Sequence, residues 1–278
     1  VNRLIDAASP GQALAIVLGL GRLPDKVDKY TLLAAAAGVE RGRLPLLDVE
    51  DYTEEVVARY LSYIERRRSG EPVSHILGYR EFFNHRFHIG PQVLDPRPET
   101  EFLVRAALEK PVMRVLDLGT GSGAIVISIL AACPQAWGVG TDLSQEALEV
   151  SRDNAGRIGV AERCRFLKSD WFADVGGTFD LIVSNPPYIA AEEMAGLAPE
   201  LAHEPRMALT DEGDGLGAYR AITKGAPDHL ASGGRLMVEI GPTQAQAVSA
   251  MFRKAGLADI TILTDFDGRD RVVSGKMP

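Results

Sequence analysis

The tetrapeptide Asn185-Pro186-Pro187-Tyr188 directly follows an apolar, β-rich run at 179–184, and its make-up suits one kind of chemistry. Consecutive prolines carry no N–H and hold an extended backbone, so the Pro186 carbonyl is presented with little conformational freedom. Asn185 adds a side-chain carbonyl. Two acceptors converging on one point can hold a planar –NH2 group through both of its hydrogens, and the Tyr188 ring supplies a wall beside it. Asn185, Pro186, Pro187 and Tyr188 are therefore candidate substrate-binding residues, with Asn185, Pro186 and Tyr188 the candidates for catalysis. The fitting target is an amide or an exocyclic amine. An amide nitrogen is a weak nucleophile because its lone pair is delocalised into the carbonyl. Acceptors on its hydrogens push density back, and fixing it about 3 Å from an activated methyl, in line with the leaving group, supplies the rest without a strong general base. The plainer alternative is a proline-rich turn that only ends a strand.

A second constellation lies upstream. Val115-Leu116-Asp117-Leu118-Gly119-Thr120-Gly121-Ser122-Gly123 runs from a predicted strand into an apolar helix at 124–132, the place where α/β sheets bind nucleotides. Glycines there let the backbone approach a ligand closely. Gly140-Thr141-Asp142 ends the next strand, where a carboxylate can accept hydrogen bonds from both ribose hydroxyls. Asp117, Gly119, Thr120, Gly121, Ser122, Gly123, Asp142 and Leu143 form the candidate nucleoside site, with Asn185 bordering it. Asp170-Trp171 follows a third strand in the same plane, making Asp170 a candidate for the adenine amino group and Trp171 for covering the ring, with core filling the rival role for Trp171. Gly119, Gly121 and Ala124 also satisfy the degenerate dinucleotide fingerprint, whereas a phosphate-binding P-loop is excluded because no Lys-Ser/Thr follows the glycines.

The elements that must position these residues alternate. Predicted strands at 114–118, 136–142, 165–168, 179–184 and 235–240, with 260–263 and 271–273 at the end, are separated by longer helical runs, the pattern of a doubly wound α/β sheet. This chemical domain occupies 101–278. Residues 1–70 differ: Leu14, Val17 and Leu18, then Leu32, Leu33 and Ala36, then Val56, Val57, Tyr60, Leu61 and Ile64 recur at helical spacing and predict a small helical domain. Arg66-Arg67-Arg68 before Gly70-Glu71-Pro72 marks its end. The linker at 71–100 carries a predicted β-hairpin between 79 and 93 and a turn at Pro96-Arg97-Pro98. Arg97 and Glu99 either line the cofactor entrance or cap the helix starting near Thr100, and Glu239 at a strand end is either catalytic or, the favoured reading, a structural hydrogen-bonding group.

Composition removes several classes. The 278 residues are 46% hydrophobic, enough for a real core, yet no run approaches the roughly 20 apolar residues of a membrane span. Residues 1–6 lack the start of a secretory signal, so a cytoplasmic protein without membrane contact is expected. Cys133 and Cys164, the only cysteines, lie 31 positions apart and are expected as buried thiols rather than a disulfide framework or zinc site. His85 and His88 have no carboxylate partner in spacing, so no metal is expected. The net charge of −8 is uneven: residues 1–80 hold 11 basic and 11 acidic side chains, residues 81–278 hold 19 and 27. An acidic chemical domain grips phosphate backbones poorly, which argues against direct nucleic-acid binding.

With Asn185-Pro186-Pro187-Tyr188 behind Asp117-Leu118-Gly119-Thr120-Gly121-Ser122-Gly123, the chain resembles class I methyltransferases acting on planar nitrogens. Glu71-Pro72, Gly78, Phe82, Pro96-Arg97-Pro98-Glu99-Thr100-Glu101, Glu204-Pro205-Arg206, Ala208-Leu209, Asp214-Gly215-Leu216, Tyr219-Arg220 and Glu239-Ile240-Gly241 make it similar to the HemK/PrmC family in particular, from Glu71 to Arg271. That resemblance implies a Rossmann-like doubly wound sheet with a small N-terminal helical domain. It implies S-adenosyl-L-methionine as cofactor, S-adenosyl-L-homocysteine as product, and no metal. It further implies methylation of the glutamine in the Gly-Gly-Gln motif of class I peptide chain release factors, with domain 1–70 docking the substrate. Asp95 stands where the family pattern implies an aliphatic residue, His75 where it implies an aromatic, and residues 1–60 match only in helical character. The alternatives are an adenine-N6 nucleic-acid methyltransferase using the same cradle, and a non-catalytic nucleoside-binding translation accessory.

Overall fold

The computed structural model describes residues 10–278 apart from positions 22, 24 and 266, so the reading of residues 1–6 lies outside the described residues. The chain divides into two compact units, Val1–Gly78 and Tyr79–Pro278.

In the first unit, helices α1 (Pro10–Leu20), α2 (Lys26–Ala37), α3 (Glu54–Arg68) and α4 (Val73–Leu77) surround a core of Val17, Leu32, Leu33, Leu44, Tyr60 and Ile64. The Asp25 carboxylate caps α2 by accepting from Val27 and Asp28 N–H, and the Thr53 hydroxyl caps α3 by accepting from Val56 N–H. Glu54 and Glu55 open α3 and Arg66, Arg67 and Arg68 close it, both complementing the helix dipole. Arg67 reaches Asp28 at 2.7 Å and ties α3 to α2. Of the residues at helical spacing, Val57, Tyr60 and Ile64 are buried whereas Leu61 is exposed.

The second unit opens with a hairpin, β1 (Tyr79–Phe82) and β2 (His85–His88). Its two turn residues, Phe83 and Asn84, both have positive φ, the backbone that matches the twist of a tight hairpin. Helix α5 (Thr100–Leu108) follows, then β3 (Arg114–Leu118), α6 (Ala124–Ala132), β4 (Trp137–Asp142), α7 (Gln145–Ile158), β5 (Cys164–Lys168) and β6 (Phe179–Ser184). The chain closes with α8 (Gly217–His229), β7 (Leu230–Glu239), α9 (Ala245–Lys254), β8 (Ala258–Thr264) and β9 (Asp270–Lys276). The seven larger strands form one sheet in the order β5-β4-β3-β6-β7-β9-β8, parallel except that β9 runs antiparallel to both neighbours. The chain steps outward from β3 to β5, then returns to β6 on the other side of β3. That reversal opens a crevice at the carboxyl ends of the central strands.

One core lies against α5, α6, α7 and the hairpin, with Phe82 and Phe87 edge to face at 5.9 Å. The other lies against α8 and α9. Strand β7 begins five residues before the sequence pattern suggests, because Gly233 at positive φ and a register shift opposite 179–181 absorb a bulge that the two glycines disguise as a turn. Cys164 is buried, and burial pushes its thiol up to about 12, whereas Cys133 at the end of α6 is only half-buried. No helix among the described residues is long and apolar enough to cross a membrane.

Candidate active site

The turn after β3 is built by its own carboxylate. Asp117 is fully buried; its Oδ2 accepts from the Thr120 hydroxyl at 2.7 Å and from Val126 N–H at 3.4 Å, while its Oδ1 has no partner. Burial pushes its carboxyl up to about 7, against the pull of those two hydrogen bonds. Gly119 and Gly121 take φ of 67° and 55°, and the space where a Cβ would stand is open at both. A left-handed backbone bordering open space is what a loop needs to receive a ligand on its main chain. Thr120 and Ser122 point inward instead: Thr120 N–H donates to the Thr141 carbonyl at 2.8 Å, and the Ser122 carbonyl accepts from Asn154 Nδ2 at 2.9 Å. Asn154 on α7 also brackets His88, so it fastens the hairpin to the loop.

Asp142, at the end of β4, accepts from Gly121 N–H at 2.9 Å through Oδ2 and from Ser144 N–H at 2.9 Å through Oδ1. Leu143 N–H donates to the same carboxylate, so three of its four lone-pair sites are taken by backbone and one is left for another donor. Burial raises its carboxyl above the ordinary carboxylate range, opposed by those backbone donors.

Gly119, Gly121, Asp142 and Leu143 share one cleft with Trp171, Asn185 and Pro187. Its empty space is about 750 Å³, open solvent included, which suits a nucleoside-sized ligand. Trp171 walls the cleft and packs on the second core, from a positive-φ backbone. Asp170 is exposed and does not line the cleft, whereas the buried Ser169 does. Gln92, Val93 and Leu94 after the hairpin, Ser144 and Ala147 at the start of α7, and Pro205, Met207 and Ala208 complete the wall, and sequence reasoning picked out none of them for it. Of these, only Pro205 and Ala208 stood within a family motif.

The far end of the cleft is the β6 terminus, where Pro186 is buried and does not line the cleft. Asn185 Nδ2 donates to the Thr100 hydroxyl at 3.1 Å. Thr100 is in turn hydrogen-bonded to Glu239, wholly buried at the end of β7, whose carboxyl burial pushes up to about 7. On the other side, Gln244 Nε2 donates to the carbonyls of Tyr188 at 2.8 Å and Gly215 at 3.1 Å, and its Oε1 accepts from Gly241 N–H and the Tyr219 hydroxyl. Both donors of that amide thus hold the backbone at Tyr188 and Gly215, while the Tyr219 hydroxyl also lies 3.0 Å from the Glu239 carbonyl. Gly215, at φ 74°, approaches the Tyr188 carbonyl so closely that a Cβ would collide with it. Burial pushes the Tyr188 hydroxyl up to about 12, so it stays protonated.

Arg97 neither caps α5 nor lines the cleft. It donates to Glu204 Oε1 at 2.6 Å and so pins the segment carrying Pro205, Met207 and Ala208. Glu204 nevertheless has a raised carboxyl, because burial outweighs the guanidinium. Glu99 precedes α5 without a side-chain capping bond. His88 Nδ1 lies 3.1 Å from Asp153, a carboxylate brought near by folding from 65 positions away. Among the described residues no group of three or more His, Cys, Asp or Glu is placed to hold a metal ion.

A mostly parallel seven-stranded sheet, a glycine turn after its central strand and a cleft at the switch point define a Rossmann-like methyltransferase. Comparison with known proteins makes this specific. Residues 94–216 match the methyltransferase small domain and residues 24–78 match the PrmC N-terminal domain. The release factor glutamine methyltransferase of Cereibacter sphaeroides is 50% identical over 252 residues, covering 90% of this chain and 91% of that protein. That of Burkholderia pseudomallei is 42% identical, covering 99% and 100%. The chain belongs to the release factor glutamine methyltransferase family. In fold, a methyltransferase from Pyrococcus furiosus superimposes with a TM-score of 0.52 at 20% identity, over 68% of this chain and 87% of that one.

Proposed function

We propose that this protein transfers a methyl group from S-adenosyl-L-methionine to the side-chain amide nitrogen of the glutamine in the Gly-Gly-Gln motif of class I peptide chain release factors. The observation that carries this reading is that the glycine turn and Asn185 meet in one cleft of a chain belonging to this family. Gly119 and Gly121 would receive the cofactor on their main chain, Asp142 would accept from its ribose, and Leu143 and Trp171 would wall its base. The open space beside both glycines and the lone-pair site left on Asp142 fit such a ligand. When bound, S-adenosylmethionine supplies a methyl group on a positively charged sulfur.

Asn185 Oδ1, on the cleft wall, accepts one hydrogen of the target amide, which raises electron density on nitrogen and fixes its line of approach; the Pro186 carbonyl, on a residue buried beside the cleft, would have to be uncovered to accept the other. Tyr188 packs on the second core and does not line the cleft; it backs this end, and Gln244 keeps its backbone in place. The helical domain at 1–70 helps to grip the release factor.

Incubation with labelled S-adenosylmethionine and a purified class I release factor, a release factor whose target glutamine is glutamate, and duplex DNA tests this reading. Label on the glutamine protein alone is expected. Glutamate places oxygens against an acceptor-only cradle, where lone pairs face lone pairs with no hydrogen between them. Efficient labelling of the glutamate variant or of DNA overturns the assignment.

A further inference from the structure

Asn185 can serve as an acceptor only while its side-chain oxygen, and not its –NH2, faces the target. An asparagine amide is nearly symmetrical in shape, so packing alone does not fix this choice. We infer that Thr100 and Glu239 form a positioning relay that sets the polarity of the Asn185 amide, and with it the preference for an amide-bearing target.

Glu239 is completely enclosed at the end of β7, and Thr100 is buried at the first position of α5. Above pH about 7, where Glu239 is ionised, its carboxylate only accepts, so the single Thr100 proton points to it. The Thr100 oxygen is then left as an acceptor, and the only part of Asn185 that can satisfy it is Nδ2, as the 3.1 Å contact shows. Oδ1 is thereby turned the other way. A buried carboxylate at Glu239, with Oε2 lacking any hydrogen-bond partner, is costly to keep, which suits a group retained to dictate the direction of a hydrogen bond. If Glu239 takes up a proton it can donate to Thr100, the Thr100 proton is released toward Asn185, and the opposite amide orientation is stabilised.

The groups that face Glu239 are Arg271 on β9, Arg97 and Glu99 before α5, Tyr188 after β6, and Tyr219 on α8, whose hydroxyl lies 3.0 Å from the Glu239 backbone carbonyl. The two arginines favour its charged form; burial and Glu99 oppose it, and the carboxyl titrates at about 7.

The inference rests on Asn185 being the acceptor for the target amide, and the test separates the two. Steady-state kinetics are measured with a class I release factor for the parent, Thr100→Val, Thr100→Ser, Glu239→Gln and Asn185→Ala. Binding is measured to release factors carrying glutamine or glutamate at the target position. Thr100→Val, close to isosteric, should lower kcat about tenfold or more with the KM for S-adenosylmethionine unchanged, and should narrow the discrimination between glutamine and glutamate. Thr100→Ser, which keeps the hydroxyl, should stay within about threefold of the parent. In the parent, kcat should fall as pH drops through about 7, and that limb should vanish in Glu239→Gln.

Parental kcat and parental discrimination in a folded Thr100→Val overturn the relay, as does a Glu239→Gln enzyme that keeps the parental pH limb. Should Thr100→Val fail to fold, Thr100→Ser and Glu239→Gln decide between the same outcomes. If Asn185→Ala turns over like the parent, the acceptor reading itself has failed; if it is crippled while both relay variants behave like the parent, only the relay has.

Discussion

The two ends of the cleft are built by different means. At the glycine turn the bracing comes from nearer in sequence: Asp117 holds Thr120 three residues away, Asp142 holds Gly121 from 21 and Asn154 holds Ser122 from 32, and positive-φ glycines border the open space. At the β6 end, the residues presented to a target are held by partners far off in sequence: Asn185 by Thr100, 85 positions away, and Tyr188 by Gln244, 56 positions away. A ligand common to many enzymes needs a floor and a few acceptors, which local backbone can supply. Orienting one weak nucleophile needs side chains whose angles are fixed from several directions, which only tertiary packing supplies.

Separate effects at the two ends would sharpen this contrast, and mixed effects would break it. The largest expected effect is at Asn185: Asn185→Ala should cut turnover by about 10²-fold or more while cofactor affinity by calorimetry stays close to the parent's. Turnover within a few-fold of the parent would remove Asn185 from the chemistry. Next, Asp142→Ala should weaken S-adenosylmethionine binding by about 1.5–3 kcal/mol, because charge-assisted hydrogen bonds to the ribose are lost, with turnover at saturating cofactor much less affected. Unchanged affinity would exclude Asp142 from the site.

Gly215→Ala should destabilise the protein by about 1–2 kcal/mol, since both the left-handed backbone and the Tyr188 carbonyl oppose a Cβ. Thermal unfolding measures this, and a melting temperature equal to the parent's would show that the turn relaxes freely. The smallest effect is a slope. Burial raises the folded-state carboxyl of Asp117 to about 7, so between pH about 4 and 7 the folded chain keeps a proton that the unfolded chain has lost. Its contribution therefore falls as pH rises across that window. Asp117→Asn should flatten this decline in melting temperature, and a curve parallel to the parent's would mean that Asp117 ionises freely in the fold.

Much of the fold was legible because it is periodic. Five parallel strands, the helices between them and the hairpin follow from apolar spacing and turn residues; the start of β7 was hidden by a bulge whose glycines resemble a turn, and the short α4 lies in a stretch that reads as linker. The glycine turn was legible as a contiguous motif. Ser169 beside Trp171, and Gln92, Val93 and Leu94 after the hairpin, were not, since nothing in their own type marks them and only the course of the chain brings them to the cleft. Thr100 stood within a recognisable motif, yet its hydrogen bonds were invisible there because both partners lie elsewhere in the chain.

By itself the sequence determined which groups are available: a carboxylate and glycines after one strand, an acidic residue after the next, and Asn-Pro-Pro-Tyr after another. These are properties of residue type and near-neighbour spacing, and they survive in any arrangement that forms the strands. The tertiary structure decided direction: where Arg97 points, which face of the Asn185 amide is presented, and that Glu239 is sealed from water beneath it. Hydrogen-bond polarity and desolvation depend on every group that packs against a site, and those groups come from α5, β7, α9 and β9, whose meeting is set by the sheet order and not by any local run of residues.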